Sequence, residues 1–203
     1  MAHPERLVYA AHACVWLVFG LTRLFVMLTL WLSNPGAAAR VEGPLRASEA
    51  ITAPHSRLLV VLHSLAIGVV YVAVARASRG IPAWFAGQGL AGALLIASGG
   101  ALMCWTLLHL RSWRLRAKLD VGHRLATSGP FRLMRHPIYM GLDLLALGTA
   151  VWIPSLLCWA AFALVALGGD LRARAEERLL ERSFGPAYRD YCARTRRFVP
   201  GIY

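Results

Sequence analysis

The sequence predicts an all-α, polytopic membrane protein with about five transmembrane helices, and two observations support this. Hydrophobic residues make up 58% of the 203 residues and charged residues only 16%, whereas soluble domains carry about 45–50% apolar and about 25% charged residues. The apolar residues also gather in long runs, and a helix needs about 20 mainly apolar residues to cross a bilayer. We therefore expect several membrane spans.

Three spans are predicted in the first half of the chain, at Leu7 to Leu32, at about Leu58 to Ala75, and from after Pro82 to about Leu110. The third span is rich in Gly and Ala, which suits close packing between helices in lipid. We treat residues 1–110 as an N-terminal membrane region that faces lipid and substrate.

The next apolar run, Ile138 to Gly169, is long enough for two crossings and is interrupted at Ile153-Pro154-Ser155. Each half is short, so we predict a tight helical hairpin. A polar helix is expected to continue from it over Asp170 to Arg182, and a short helix from about Ala187 to Arg194 follows the break at Gly185-Pro186. These last helices form a cytoplasmic C-terminal tail.

The net charge of +12 does not indicate a nucleic-acid-binding protein, because the basic residues lie mainly in two blocks beside apolar segments, Arg111 to Arg135 and Arg172 to Arg197. Such blocks are typical of cytoplasmic loops, and their expected partners are membrane lipids with anionic headgroups. The two blocks stand at the two ends of the hairpin and so share the cytoplasmic side. Five spans then place the N-terminus outside.

A G-x-G-x-x-G match from Gly87 to Gly92 is not a dinucleotide-binding loop. That motif works between a strand and a helix, with an acidic residue about 20 positions on. Here no strand is predicted before it, and His109 and Arg111 occupy the expected acidic region. We expect these glycines to serve helix packing.

The run Arg135-His136-Pro137-Ile138-Tyr139 has the features of a binding site. Pro137 is favourable in the first turn of a helix, and the positive end of a helix beside an arginine suits a carboxylate. His136, Tyr139 and Asp143 are spaced to lie near one another along one helix face. A satisfied structural role is the alternative for His136.

Two charged residues within apolar runs, Asp143 and Arg23, are candidate substrate contacts, because charges at membrane depth are often functional. The alternatives are a salt bridge between Asp143 and a nearby arginine, and snorkelling of Arg23 toward an interface or pairing with Asp143.

The acidic pair Glu176-Glu177 lies just beyond the hairpin. If the two helices are antiparallel, these glutamates approach Arg135 and His136. Pairing with neighbouring arginines at helical spacing is the alternative. The groups together would make a pocket with both charge signs and ring side chains, which fits a zwitterion that carries an extra positive charge.

Four segments of the C-terminal half have a distinctive pattern: Gly122 to Tyr139, Glu176 to Gly185, Tyr188-Arg-Asp-Tyr191 and Pro200. With them the chain resembles the isoprenylcysteine carboxyl methyltransferase family, whose motifs related phospholipid methyltransferases share. The resemblance covers about residues 120–201, while the first hundred or so residues show none.

The resemblance implies an S-adenosyl-L-methionine-dependent methyltransferase whose cofactor is bound within residues 111–203. It assigns catalytic roles to Arg135, His136 and Glu177. Phe131 departs from the family, which usually has Tyr there, so a hydroxyl contact is lost while ring packing can remain. The cofactor-binding residues that it implies are His123, Leu125, Gly129, Phe131, His136, Pro137, Tyr139, Glu176 and Glu177.

The chemistry of the donor agrees with this assignment. Its sulfonium cation suits the ring faces of Phe131 and Tyr139, its carboxylate suits Arg135, and its ammonium suits Glu176 or Glu177. The four cysteines are scattered and no pair has metal-ligand spacing, so no metal is expected.

The acceptor is expected to be lipophilic: a prenylcysteine-like carboxylate, a lipid amine, or a small apolar thiol or acid. The expected location is a bacterial inner membrane, with the active site facing the cytoplasm. Two alternatives are an NADPH-dependent membrane reductase of the sterol reductase type and a non-enzymatic membrane scaffold, which would leave the polar cluster unexplained.

Overall fold

The computed structural model describes residues 4–33, 51–52, 55–77, 87–110, 118–119 and 125–203. Almost all of the described chain is helical, which confirms the predicted all-α class. The other described residues form turns, loops and two two-residue strands, β1 (Ile51–Thr52) and β2 (Lys118–Leu119), which pair antiparallel. The α-helices of the described part are α1 (Pro4–Ser33), α2 (Ser56–Ala77), α3 (Gln88–Leu110), α4 (Pro137–Trp152), α5 (Leu156–Phe184) and α6 (Pro186–Arg194), and a 3-10 helix covers Gly129–Arg132.

Four of these helices, α1, α2 from Arg57 on, α3 and α5, are long and apolar enough to cross a membrane. This confirms a multi-pass membrane protein. Helix α4 is also apolar but has only 16 residues. At about 1.5 Å per residue it extends about 24 Å, which is less than the hydrocarbon core of about 30 Å.

The predicted hairpin between α4 and α5 is confirmed. Helix α4 ends at Trp152, and Ser155 begins α5 as its N-cap, with its hydroxyl accepting a hydrogen bond from the Cys158 amide at 3.1 Å. The two helices pack against each other. Helix α5 then continues without a break into its polar second half and ends at Phe184, before Gly185.

Helices α3 and α4 make the most extensive helix pair in the described part of the chain. A methyl group added to Gly92 would lie 2.7 Å from the Gly148 carbonyl oxygen, and one added to Gly99 would lie 2.5 Å from the Gly141 carbonyl oxygen. Only glycine therefore permits this approach of the two backbones. Gly92 belongs to the G-x-G-x-x-G match, and its packing role is confirmed.

A chain of hydrogen bonds links α1, α2 and α4 inside the bundle. Trp16 donates to the Tyr71 hydroxyl at 2.6 Å, and His12 Nδ1 lies 3.1 Å from that hydroxyl. His12 Nε2 lies 2.8 Å from the Thr149 hydroxyl, which donates to the Leu145 carbonyl. Because Thr149 has used its proton, His12 must donate from Nε2 and accept from Tyr71 at Nδ1.

Candidate active site

The antiparallel hairpin brings the acidic pair of α5 against the first turn of α4, as the sequence predicted for an antiparallel arrangement. Arg135 Nε donates to Glu177 Oε1 at 2.8 Å, and His136 Nε2 lies 3.3 Å from the same oxygen. The Tyr139 hydroxyl donates to Glu176 Oε1. Both glutamates thus contact the Arg-His-Pro-x-Tyr motif, at a sequence distance of about forty residues.

The segment that follows α6 also contacts the site. Arg135 and His136 donate their backbone amides to the carbonyl oxygens of Arg196 and Arg197, at 2.8 and 3.1 Å. The Arg135 guanidinium also donates to the carbonyl oxygen of Thr195. The segment that follows α6 therefore holds the two residues immediately before α4 in place. Pro137, the first residue of α4, is buried.

Arg197 is a residue of the site that the sequence reasoning missed. Its guanidinium binds Glu177 through two hydrogen bonds, Nη2 to Oε2 at 2.7 Å and Nε to Oε1 at 3.1 Å. It also bridges to Asp170 Oδ1 at 3.0 Å. Fork-like pairing of this kind is the strong form of an arginine–carboxylate contact. In the sequence, Arg197 was distinguished only as the last residue of the basic block Arg172 to Arg197.

His136 is buried between the two glutamates. Its Nδ1 lies 3.6 Å from Glu176 Oε2, so each ring nitrogen faces a carboxylate. Burial by itself lowers the pKa of His136, but the hydrogen bonds and negative charges of Glu176 and Glu177 outweigh it, and the net pKa is raised. The ring also stacks on Tyr139, with centroids 5.6 Å apart and planes 7° from parallel.

The loop before α4 is shaped by Gly129, which has a positive φ of 60°. A methyl group added there would overlap the His109 imidazole, so both the backbone angle and the space require glycine. Phe131 lies in the 3-10 helix, with its ring 6.4 Å from that of His109 and its carbonyl oxygen accepting from the Tyr191 hydroxyl at 2.6 Å. Leu125 is half-buried.

His123, the remaining predicted residue of the cofactor loop, lies outside the described residues.

The two candidate substrate residues occupy different places. Asp143 lies one helical turn beyond Tyr139 on α4, and its Oδ1 is buried with no hydrogen-bond partner in the described part of the chain. Arg23 is exposed on α1. Near Tyr139, the Arg172 guanidinium lies over the ring, 4.6 Å from its centroid, as a cation–π contact.

A cavity of about 410 Å³ opens beside this cluster, between the polar half of α5 and α6. Of the predicted cofactor and catalytic residues that the structure describes, only Arg135 and Glu177 line it. The Tyr188 hydroxyl in its wall is buried and has no hydrogen-bond partner among the described residues. Its lining residues are Arg135, Arg174, Glu177, Arg178, Glu181, Tyr188, Arg189, Cys192 and Arg197.

This region of the chain is similar to known proteins. A sequence model of the phospholipid methyltransferases matches residues 87–187. The chain is 36% identical over 89 residues to a "Probable protein-S-isoprenylcysteine O-methyltransferase" of Oryza sativa subsp. indica, covering 43% of this chain and 47% of the relative. It is 37% identical over 89 residues to "Protein-S-isoprenylcysteine O-methyltransferase A" of Arabidopsis thaliana, covering 43% and 45%.

A third relative has a different name, "Cobalt-zinc-cadmium resistance protein CzcN" of Cupriavidus metallidurans, with 40% identity over 82 residues, 40% of this chain and 38% of the relative. Within the described residues of this chain, no group of three or more His, Cys, Asp or Glu is placed to hold a metal ion. All these alignments are partial, and the chain spans about half the length of the first curated relatives it matches.

Proposed function

From the match of residues 87–187 to a family model of the phospholipid methyltransferases, we propose that the chain belongs to that family and is an integral membrane methyltransferase that uses S-adenosyl-L-methionine. Its acceptor is lipophilic: a prenylcysteine-like carboxylate, a lipid amine, or a small apolar thiol or acid. The names of the plant relatives concern prenylcysteine in proteins, and the family name concerns phospholipids.

The proposal rests on one observation: Glu176 and Glu177 contact the turn from Arg135 to Tyr139. The donor is a zwitterion with an additional sulfonium charge, and the cluster offers each complementary group within one small region. Arg135 and the positive end of α4 suit the carboxylate. Either glutamate suits the ammonium, and the ring of Phe131 suits the sulfonium. The Tyr139 ring can take part only if the Arg172 guanidinium, which lies over it, is displaced.

In the structure these groups neutralise one another: Glu177 is held by Arg135, Arg197 and His136. A ligand that carries both a carboxylate and an ammonium can exchange into such pairs. Its carboxylate takes the place of the glutamate beside the arginine, and its ammonium takes the place of the arginine beside the glutamate. The Tyr188 hydroxyl in the adjoining cavity, buried and without a partner among the described residues, supplies a further unused hydrogen-bonding group.

The bound donor supplies an electrophilic methyl group, and the residues of the chain supply its position. Methyl transfer is an in-line displacement, so holding the reactants aligned and away from water provides most of the acceleration. We assign Arg135, His136 and Glu177 to this task. The remaining cofactor contacts are proposed at His123, Leu125, Gly129 and Pro137. A proton acceptor is required only when the acceptor arrives protonated.

The same proposal places the site on the cytoplasmic side of a bacterial inner membrane. It is supported by the basic residues of the tail, such as Arg174, Arg178 and Arg189, which match the bias of cytoplasmic segments. Residues 111–203 would bind the donor from the cytoplasm, and residues 1–110 would form the lipid-facing side through which the acceptor enters.

The test is ligand-dependent thermal stability of the full chain in detergent. A ligand that binds only the folded state raises the melting temperature. We expect S-adenosylhomocysteine to stabilise the protein and NADPH to leave it unchanged. Stabilisation by NADPH alone would refute the methyltransferase and favour the reductase of the sterol reductase type.

A further inference from the structure

The cavity between the polar half of α5 and α6 carries an excess of positive charge. Its wall holds five guanidinium groups and two carboxylates. Its volume of about 410 Å³ is within the range of small-molecule sites, about 300–1,000 Å³. Of the described residues assigned to the methyl donor, only Arg135 and Glu177 belong to this wall. The rest of the wall is therefore open to a ligand of its own, and its charge favours an anion.

Three of the five arginines already bind carboxylates of the protein. Arg135 and Arg197 both pair with Glu177, at 2.8 and 2.7 Å. Arg174 pairs with Asp170 at 2.6 Å. Because two guanidinium groups neutralise Glu177, its carboxylate does not keep an anion out of the cavity. The positive charge that remains belongs to the other two arginines.

Those two arginines face each other across the cavity from different helices. Arg178 on α5 is exposed and has no hydrogen-bond or ion-pair partner among the described residues. Arg189 on α6 pairs with Glu181 at 3.9 Å, and both side chains are more than half exposed. An exposed pair of this kind contributes little to stability, so a stronger anion can take the place of the carboxylate. Both guanidinium groups are thus available to a ligand.

The Tyr188 side chain supplies a buried donor in the same wall. The residue is only 3% exposed, and its hydroxyl has no hydrogen-bond partner in the described part of the chain. The neighbouring Cys192 thiol offers only weak hydrogen bonding. Burial and the negative charge of Glu177 raise the pKa of Tyr188, so the hydroxyl keeps its proton. A buried hydroxyl without a partner calls for an explanation, and an anion in the cavity would accept its hydrogen bond.

The available donors fit a phosphate group better than a carboxylate. They come from three separate side chains: the two free guanidinium groups and the hydroxyl. A carboxylate has two oxygens, whereas a phosphate presents three strong acceptor oxygens. The planar fork of a guanidinium also matches the geometry of a phosphate. One phosphate can therefore use all three donors at once.

The length of α5 places this cavity at the level of lipid headgroups. Residue 178 lies 22 positions after Leu156, the first residue of α5, which corresponds to about 33 Å along the helix. If the tip of the hairpin lies at one boundary of the hydrocarbon core, which is about 30 Å thick, Arg178 lies about 3 Å beyond the other boundary. Lipid phosphates lie in this layer, and basic pockets between helices on the cytoplasmic side are typical headgroup sites.

We propose that the cavity binds one phosphate group, held by Arg178, Arg189 and the Tyr188 hydroxyl. The depth of the cavity favours a lipid headgroup as the source, and a soluble phosphate has the same chemistry. The site differs from the general attraction of basic segments to anionic lipids, because it requires an uncharged hydroxyl. It goes beyond the proposed function and does not depend on it. Arg135 and Glu177 share the wall, so the phosphate lies beside the candidate active site.

The first test compares probes that share their acyl chains and differ in the phosphate. Dioctanoyl phosphatidic acid, dioctanoylglycerol and inorganic phosphate are added to the full chain in a neutral detergent. We expect the phosphatidic acid to raise the melting temperature by at least about 2 °C and dioctanoylglycerol to leave it unchanged. An equal rise with inorganic phosphate would support the site and identify a soluble phosphate as its ligand. No rise with either phosphate, or an equal rise with dioctanoylglycerol, would overturn the proposal.

The second test uses Tyr188→Phe, which changes no charge. We expect it to abolish the shift caused by the phosphate probe, and Arg178→Gln to do the same. Arg182→Gln is the matched control, because it removes the same charge one turn further along α5, from an exposed residue outside the wall. Since Arg178 is exposed, its replacement tests the site even if Tyr188→Phe does not fold. A shift that survives Tyr188→Phe, or that the two arginine substitutions reduce equally, would indicate general attraction and overturn the proposal.

S-adenosylhomocysteine separates the phosphate site from the donor site. The phosphate probe should still raise the melting temperature when S-adenosylhomocysteine is saturating. Loss of that shift would mean that the donor occupies the cavity, and would overturn a separate phosphate site. If S-adenosylhomocysteine stabilises no form of the protein, the proposed function fails, and the responses of Tyr188→Phe and Arg178→Gln to the phosphate probe still decide this proposal.

Discussion

Arg135 and Glu177, which are 42 positions apart in the sequence, are joined by a hydrogen bond of 2.8 Å between Nε and Oε1. The contact joins the start of α4 to the polar half of α5, and both side chains are largely buried. Because breaking one partner of a buried ion pair leaves the other uncompensated, this pair couples the stability of the hairpin to the chemistry of the site.

Loss of Arg197 should destabilise the protein. Arg197→Gln removes the fork on Glu177 and the bridge to Asp170, and we expect the free energy of unfolding to fall by about 1–3 kcal/mol. Denaturation in detergent measures this. Arg189→Gln is the control, since the Arg189–Glu181 pair is exposed at 3.9 Å and should contribute less than about 1 kcal/mol. Equal effects of the two substitutions would contradict the central position given to Arg197.

The hydrogen-bond chain through His12 predicts a second stability effect. His12→Leu deprives both Tyr71 and Thr149 of a partner inside the bundle. Hydrogen bonds between membrane helices contribute about 0.6 kcal/mol on average and up to about 1.7, so a loss of about 1–2 kcal/mol is expected for two. Thr22→Val is the control, because its hydroxyl bonds within its own helix, to the Val18 carbonyl. An unfolding free energy that is the same in both variants would show that the chain is not stabilising.

The loop before α4 should not tolerate a side chain at Gly129. Alanine there meets both an unfavourable φ and overlap with His109. Gly87 has a comparable φ of 83° but open space around it, so Gly87→Ala isolates the backbone strain, about 1–2 kcal/mol. We expect Gly129→Ala to lower the melting temperature more than Gly87→Ala, and to weaken S-adenosylhomocysteine binding as well. The reverse order would contradict the packing of His109 against this loop.

The environment of His136 predicts a pH dependence. Because its pKa is raised in the folded state, His136 stabilises the fold fully below its ordinary pKa of about 6.5, and this contribution is lost as the pH rises through the folded value. The melting-temperature difference between wild type and His136→Gln, both without ligand, should be largest in acid and shrink toward alkaline pH. A difference that grows with pH would mean that the glutamates do not hold the protonated form.

Much of this arrangement was predictable from local sequence. The break at Ile153-Pro154-Ser155 and the continuation of α5 into a polar half fix an antiparallel hairpin, and this brings Glu177 to Arg135. Other contacts depend on helix rotation and on the path of the tail, which short-range patterns do not encode. Arg197 was one basic residue among many in the block Arg172 to Arg197.

His63 lies in the second predicted apolar span and belongs to none of the motifs singled out in the sequence. Its Nε2 has no hydrogen-bond partner among the described residues. The environment of this nitrogen depends on the packing of α2 against α5, which Gly168 and Gly169 allow. The spacing of glycines within one helix does not reveal which neighbouring helix they face.

The most direct test of the central claim is the dissociation constant of S-adenosylhomocysteine for the wild type, His136→Ala, Glu177→Ala and the exposed control Glu181→Ala. If the cluster holds the donor, the first two variants should bind at least about tenfold more weakly, a loss of about 1.4 kcal/mol or more, while they remain folded. Glu181→Ala should bind as the wild type does. Unchanged affinity in both His136→Ala and Glu177→Ala would contradict the account.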